Sequence, residues 1–440
     1  MMGRGESGDG VNRRDNGGGA VPTAIRDDDH PRTPSTTDDA GSPGTTGEPD
    51  LGNPEVVAAI RAEIDRAGGR IPFERFMQMA LYLPGAGYYV GERRRPGRGG
   101  DFLTAPELHP MFGFALARQV ADCWERLGHP DTFTVREYGA GVGGLAYDIL
   151  ASLHVERPEV AAAVRYRLVE ANPFRREQAM AAMREVGLAG QVEAIDPAEE
   201  AAAPPITGLA LANEVADAFP VRRLVVRGDG PREAFVAWSD AARGFVEVEG
   251  APADAGYAAS LQAALAADGV TLAEGDRLDV SPAAADWFGA ACRGVGRGYA
   301  LVIDYGYPAP TLFSGHRLGG TLRAYSGHTV SDDPFRLVGE QDLTAHVDFT
   351  ALEQAGRAAG AETVGLTTQG AFLASLGLGD WLLRLQADPA TDPATYYQAQ
   401  SAVFRLIDPG GMGRFGVLMM ARDAPVSPPP MGFTESPPTF

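Results

Sequence analysis

A chain of 440 residues, 44% of them hydrophobic, can build two domains or one large domain with insertions. Its formal net charge of −20 opposes binding to nucleic acid, which depends on Lys and Arg neutralising phosphates. The sequence contains no lysine, which excludes P-loop ATPases, pyridoxal enzymes and protein kinases, since each needs an amine at its centre.

Residues 1–50 are rich in Gly, Pro, Asp, Ser and Thr and poor in apolar residues, the composition of a disordered tail. They lack the apolar h-region of a secretory signal, and Cys123 and Cys292 are too few for a disulfide framework. The expected location is therefore cytoplasmic. No apolar run approaches the roughly 20 residues of a membrane-spanning helix, so no membrane insertion is expected.

From residue 51 to 134, "PEVVAAIRAEIDRAG" and "PFERFMQMALYLP" carry apolar residues at helical spacing, with Pro at each start. "DTFTVREYG" follows as a buried strand and "GLAYDILASLHV" as a helix. "VRYRLVEA" is a second strand, and "PFRREQAMAAMREVG" a helix with Asn172 as its N-cap and Pro173 at its first position. "QVEAID", "TGLALANEV", "GYALVIDYG", "ETVGLTTQ" and "RFGVLMMAR" complete seven strand segments, the pattern of an α/β sheet. Residues 221–280 break the rhythm with short antiparallel strands and Gly/Asp turns, a β-rich insertion between two core parts, 135–220 and 281–422. Residues 423–440 look like a second loose tail.

"VREYGAGVGG" (135–144) lies between a strand and a helix. Gly139, Gly141 and Gly144 fit the G-x-G-x-x-G turn of a dinucleotide site; Gly139, Gly141 and Gly143 fit the G-x-G-x-G turn of S-adenosylmethionine sites. In either, glycine lets backbone approach a ligand at a helix N-terminus. Glu170 ends the second strand, where an acid can accept both hydroxyls of a ribose; the alternative is a cap on the following helix. Glu137, two residues before Gly139, is an expensive buried acid unless it meets a cation or N–H donor. The amino-acid end of S-adenosylmethionine is such a cation, and a salt bridge to Arg136 or Arg165 is the alternative.

"LANEVADAFPVR" (211–222) delivers Asn213 and Glu214 at a strand's C-terminal end, with Asp217 one turn on and Pro220 stopping any helix. Together with "FMQMALYLPGAGYYV", "GDFLTAPELHPMFG", "YRLVEANPFRREQ", "LVIDYGY", "GTLRAY", "GEQDLTAHVDFTAL" and "TQGAFLASLG", the chain over roughly 55–422 resembles the MidA-like S-adenosylmethionine-dependent methyltransferases. That family includes an arginine methyltransferase of mitochondrial complex I assembly. The resemblance implies a seven-stranded class I methyltransferase (Rossmann-like) sheet, with a helical N-terminal segment and the inserted β-rich subdomain. It implies S-adenosyl-L-methionine as cofactor and a protein substrate, a respiratory-complex subunit among the candidates, methylated on arginine. Phe102, Thr104, Glu137, Gly139, Gly141, Gly143, Glu170 and Asn213 are the cofactor-binding candidates. Glu214 and Asp217 are the candidates for orienting the guanidinium and taking its proton, the alternatives being a cofactor ligand for Glu214 and a helix cap for Asp217. No metal is expected. The rivals are a small-molecule methyltransferase with a closed apolar pocket, an assembly protein that binds the cofactor without turnover, and a nicotinamide dehydrogenase.

The chain departs from the family at Phe415-Gly416, where a Phe-Lys pair is usual, and reads "DAFP" for "DALP". "DYGYP" (304–308) and "AHVDF" (345–349) are further candidates for the acceptor pocket, while Tyr88 and Tyr89 fit a packed core or a pocket wall alike. The Arg-rich stretch 92–98 is either an acid-binding clamp or a solvated loop.

Overall fold

The computed structural model describes residues 50–91, 104–315, 319–327 and 329–434. All seven strand segments lie in one mixed sheet: β1 (Phe133–Tyr138), β2 (Val164–Val169), β3 (Val192–Ile195), β4 (Ile206–Asn213), β5 (Val295–Asp304), β6 (Glu362–Thr368) and β7 (Gly416–Arg422). Their spatial order is β6-β7-β5-β4-β1-β2-β3. The five strands from β5 to β3 are parallel, and β7 runs antiparallel to both β5 and β6. The centre of a parallel sheet is covered on both faces, so β4 reads as a continuous apolar run, "ITGLALAN". The order reverses between β1 and β4, and open α/β sheets bind ligands at such a switch point.

Local chemistry explains how the chain enters each helix. Asn172 caps Pro173–Glu185, accepting from the amides of Phe174 and Arg175, with Pro173 in the first turn as the sequence indicated. Asn53 caps Pro54–Arg66 in the same way. Gly143, in the left-handed region, opens Gly144–Glu156 directly after β1.

A second sheet pairs Ile71–Pro72, Arg222–Val225, Arg232–Ser239, Gly244–Gly250 and Arg277–Val280. Four of its strands come from 221–280; the fifth comes from the N-terminal segment, which is why Pro72 precedes the helix Phe73–Tyr82 instead of starting it. That helix buries Phe73, Phe76, Met77 and Leu81 in a core shared with Val236 and Phe245. A small third sheet, Arg323–Ser326 with Thr329–Ser331 and Asp342–Thr344, lies in the connection between β5 and β6.

The expectation of a loose C-terminal tail fails for residues 423–434. Arg126 donates to the carbonyls of Pro428 and Pro429 at 2.7 and 2.6 Å, and the Gly432 amide donates to Gln119 Oε1 at 2.9 Å. Phe433 packs on Phe372 with ring centres 5.6 Å apart. A Pro-rich run is extended and leaves its carbonyls free to accept, and here Phe433 anchors it. The 1–49 tail, the Arg-rich stretch 92–98 and Phe102 lie outside the described residues.

Candidate active site

The C-terminal ends of β1, β2 and β4 open onto a cleft of about 2090 Å³. A single small-molecule site usually occupies about 300–1,000 Å³, so two reactants fit side by side. Thr104, Glu137, Gly139, Gly141, Glu170, Asn213, Glu214 and Asp217 all line it. Gly143 does not; it forms the turn behind, where a Cβ would lie 3.1 Å from Met183.

Gly139, Gly141 and Gly143 have φ of 67°, 56° and 82°. Such values strain any other residue. A Cβ on Gly141 would meet nothing within 4 Å, so the space above this backbone belongs to the cleft. Glu170 is buried and holds the turn in place. Its Oε2 accepts from the Gly141 amide at 2.9 Å and its Oε1 from the Asn172 amide at 2.8 Å. Capping of the next helix falls to Asn172, so the carboxylate of Glu170 remains at the cleft wall.

Glu137 is 5% exposed and accepts from Tyr166 Oη at 2.8 Å. Burial pushes its carboxyl up to about 8; the Tyr166 hydrogen bond works against that shift and the charge of Glu170 adds to it. Neither arginine proposed as its partner reaches it. Arg136 pairs with Glu200 at 2.5 Å, and Arg165 donates to the carbonyls of Ala162 and Val164. Among the described residues no cation contacts Glu137.

The Asn213–Asp217 stretch is shaped by a residue the sequence did not assign to this task. Asp304, fully buried at the end of β5, accepts the amides of Val215, Ala216 and Asp217 on Oδ2 at 3.0, 2.7 and 3.3 Å. Its Oδ1 accepts from the Tyr305 amide at 2.8 Å. Burial raises its carboxyl to about 6, and these four amides work against that rise. The nest folds Ala216–Ala218 into a 3₁₀ turn and helps hold Glu214 at φ 53°, a left-handed conformation costing of order 1–3 kcal/mol.

Glu214 Oε1 accepts from the Ala105 amide at 3.0 Å and from Asn213 Nδ2 at 3.1 Å. Through Ala105 it fixes the short helix Ala105–Leu108, where Thr104 and Glu107 form a capping box. Burial lifts the Glu214 carboxyl to about 7. Asn213 Oδ1 is buried without a hydrogen-bond partner, a polar atom that a ligand can satisfy. Asp217 is half-buried, and desolvation, then the charges of Asp304, Asp342 and Glu214, hold its carboxyl well above the usual range.

Tyr82, Tyr89, Tyr305, Tyr325 and Asp342 line the same cleft. Of these, Tyr89 and the "DYGYP" tyrosine were legible in the sequence, whereas Tyr82, Tyr325 and Asp342 were not. Asp348 of "AHVDF" caps the helix Phe349–Ala358. Among the described residues no group of three or more His, Cys, Asp or Glu side chains is arranged to hold a metal ion.

The model of a family of S-adenosyl-L-methionine-dependent methyltransferases matches residues 115–367. A crystal structure of a "likely methyl transferase from Burkholderia thailandensis bound to S-adenosyl-homocysteine" is 36% identical with TM-score 0.76, covering 86% of this chain and 94% of that one. The chain belongs to this family. It is an S-adenosyl-L-methionine-dependent methyltransferase with a mixed α/β fold. The Drosophila melanogaster protein arginine methyltransferase NDUFAF7 homolog, a mitochondrial protein, is 28% identical over 88% of this chain and 90% of its own. The mitochondrial NDUFAF7 of Xenopus tropicalis is 27% identical over 84% and 87%. These relatives overturn the cytoplasmic expectation. A missing apolar h-region argues against secretion alone and does not choose among the other compartments.

The described residues fit the cofactor. They offer an open glycine cradle at Gly141, a buried acid without a cation at Glu137 and an unsatisfied acceptor at Asn213.

Proposed function

We propose that this enzyme methylates an arginine side chain of a protein, on a class I methyltransferase sheet. The observation that carries this reading is the acidic, tyrosine-lined half of the cleft, where Glu214, Asp217 and Asp342 face Tyr82, Tyr89 and Tyr325. Carboxylates desolvated together cost free energy until a cation joins them. A guanidinium is such a cation, and its planar fork of N–H donors suits several acceptors at once. A closed apolar pocket for a small neutral substrate would look different. The names of the NDUFAF7 relatives support the same acceptor.

When bound, S-adenosyl-L-methionine supplies an electrophilic sulfonium methyl group. In this reading Glu170 accepts from the ribose hydroxyls, and Glu137 and Asn213 take the charged amino-acid end. Thr104, the N-cap of the Ala105–Leu108 helix, lies at the cleft wall and contacts the cofactor. The acceptor arrives protonated, and its approach restores the charge of Asp217 and Glu214, which burial otherwise keeps neutral. They orient the guanidinium by accepting its N–H bonds. As the nitrogen forms its new bond to the methyl carbon and that carbon's bond to sulfur breaks, one N–H proton passes to a carboxylate oxygen, leaving a methylated guanidinium cation and S-adenosylhomocysteine; the carboxyl group then gives its proton to solvent. By the family resemblance, a respiratory-complex subunit is a candidate protein substrate.

The test is Asp217→Ala, examined for both cofactor binding and turnover. Affinity for S-adenosylhomocysteine should stay within a few fold while methyl transfer to lysate protein falls by about 10²–10⁴. Normal turnover in a folded variant removes Asp217 from the mechanism. If wild type binds the cofactor and methylates nothing, the assembly-protein reading takes its place.

A further inference from the structure

Asp342 opens the strand Asp342–Thr344 of the small third sheet and is 9% exposed. Its Oδ1 accepts from Tyr89 Oη at 2.7 Å, and its register partner on the neighbouring strand is Tyr325. Just beyond this strand, the Ala345 amide donates to the Asp217 carbonyl at 3.0 Å. That bond ties the strand to the turn carrying Asp217. Tyr82 stacks on Tyr89 with ring centres 5.5 Å apart, and its hydroxyl is held by the Ala218 carbonyl at 3.0 Å.

Two acids from distant parts of the chain thus reach one cavity between aromatic walls. Asp304, close by, is spent on four backbone amides, whereas Asp217 and Asp342 both line the open space. Arg414 lines the cleft as well, its guanidinium 5.9 Å from the centre of the Tyr305 ring.

We propose that Asp342 is a second acceptor-binding carboxylate, holding the substrate guanidinium together with Asp217, and that Tyr89 fixes its orientation. The inference rests on the arginine-methyltransferase reading above. A guanidinium presents five N–H donors in one plane, so two carboxylates on different walls can take two of its edges and leave one nitrogen for attack. A lysine ammonium has no such plane and would engage the two acids less well.

The experiment titrates N-acetylarginine methylamide into S-adenosylhomocysteine-saturated protein, followed by NMR, with the lysine and citrulline analogues as controls. Wild type should bind the arginine probe more tightly than either control. Asp342→Asn should weaken that binding about ten- to hundredfold, the range expected on losing a charge-assisted hydrogen bond, while S-adenosylhomocysteine affinity stays within about twofold. Tyr89→Phe should weaken it about threefold or more, since only the ordering bond is lost. If Asp342→Asn does not fold, Tyr89→Phe carries the test, and unchanged probe affinity in it overturns the proposal. Unchanged probe affinity in folded Asp342→Asn, or no probe binding by wild type that binds S-adenosylhomocysteine, overturns it too. Failure of wild type to bind S-adenosylhomocysteine would instead sink the cofactor reading beneath it.

Discussion

Glu170→Gln is the most informative single change at the cofactor wall. Each carboxylate oxygen accepts one backbone amide, Gly141 on one side and Asn172 on the other, in a buried position. Glutamine keeps the shape but offers one acceptor and one NH₂ group. Whichever way it turns, an NH₂ faces an N–H, and one buried amide is left unsatisfied at a cost of about 1–3 kcal/mol. Folding stability should drop by that amount. Cofactor affinity should fall by roughly one to two decades, because the turn loosens and a charge-assisted acceptor for the ribose is lost. Urea unfolding measures the first effect, and calorimetric titration with S-adenosylhomocysteine measures the second. A folded variant with wild-type stability and affinity would refute both the clamp and the ribose contact.

Other outcomes follow from the same geometry. With its carboxyl raised to about 8 by burial, Glu137 binds a proton in the folded chain that the unfolded chain, near 4.5, has released. Its contribution to stability therefore declines as pH rises from about 4.5 to 8. Glu137→Gln should melt higher than wild type at pH 9 without cofactor and lose that advantage at pH 4; a pH-independent difference contradicts the assignment. Cofactor affinity of wild type should rise with pH toward 8 and flatten above it, a slope that Glu137→Gln should abolish in calorimetric titrations. Gly141→Val places a β-branched residue at φ 56° and fills the open cradle. It should remove detectable cofactor binding from a protein whose circular dichroism is unchanged, and retained affinity would make the turn merely structural. Gly416→Lys, which restores the usual family residue, puts a Cβ 2.3 Å from the fully buried ring of Phe349. Overpacking of this kind costs about 1–3 kcal/mol, so the variant should melt below wild type, and an unchanged melt would show that Phe349 yields freely.

The seven strands of the large sheet were legible because each is a short apolar run bounded by Gly, Pro or a polar turn. The meeting of Glu137, Gly139, Gly141, Glu170 and Asn213 in one cleft was legible for a related reason: they sit at strand ends, and parallel strands gather their C-terminal ends on one edge. The acceptor wall was harder to read. Tyr89, Asp217, Tyr325 and Asp342 come from four separate segments, and no spacing within any one of them announces the meeting. Asp304 was read as a pocket residue of "DYGYP", yet its side chain turns inward onto backbone amides, because a left-handed Glu214 leaves those amides in need of an acceptor. The C-terminal run was misread because its composition suggested disorder, while Phe433 and the carbonyls accepting from Arg126 fasten it to the core.

In the proposed reaction this cleft transfers a methyl group from S-adenosyl-L-methionine to an arginine of a protein. The direct measurement incubates the purified enzyme with methyl-labelled S-adenosyl-L-methionine and cell lysate, isolates the labelled protein bands and hydrolyses them to amino acids. Methylarginine should carry the label, and its formation should depend on Asp217. Label confined to lysine, to small molecules or to nothing, from an enzyme that binds the cofactor, would contradict it.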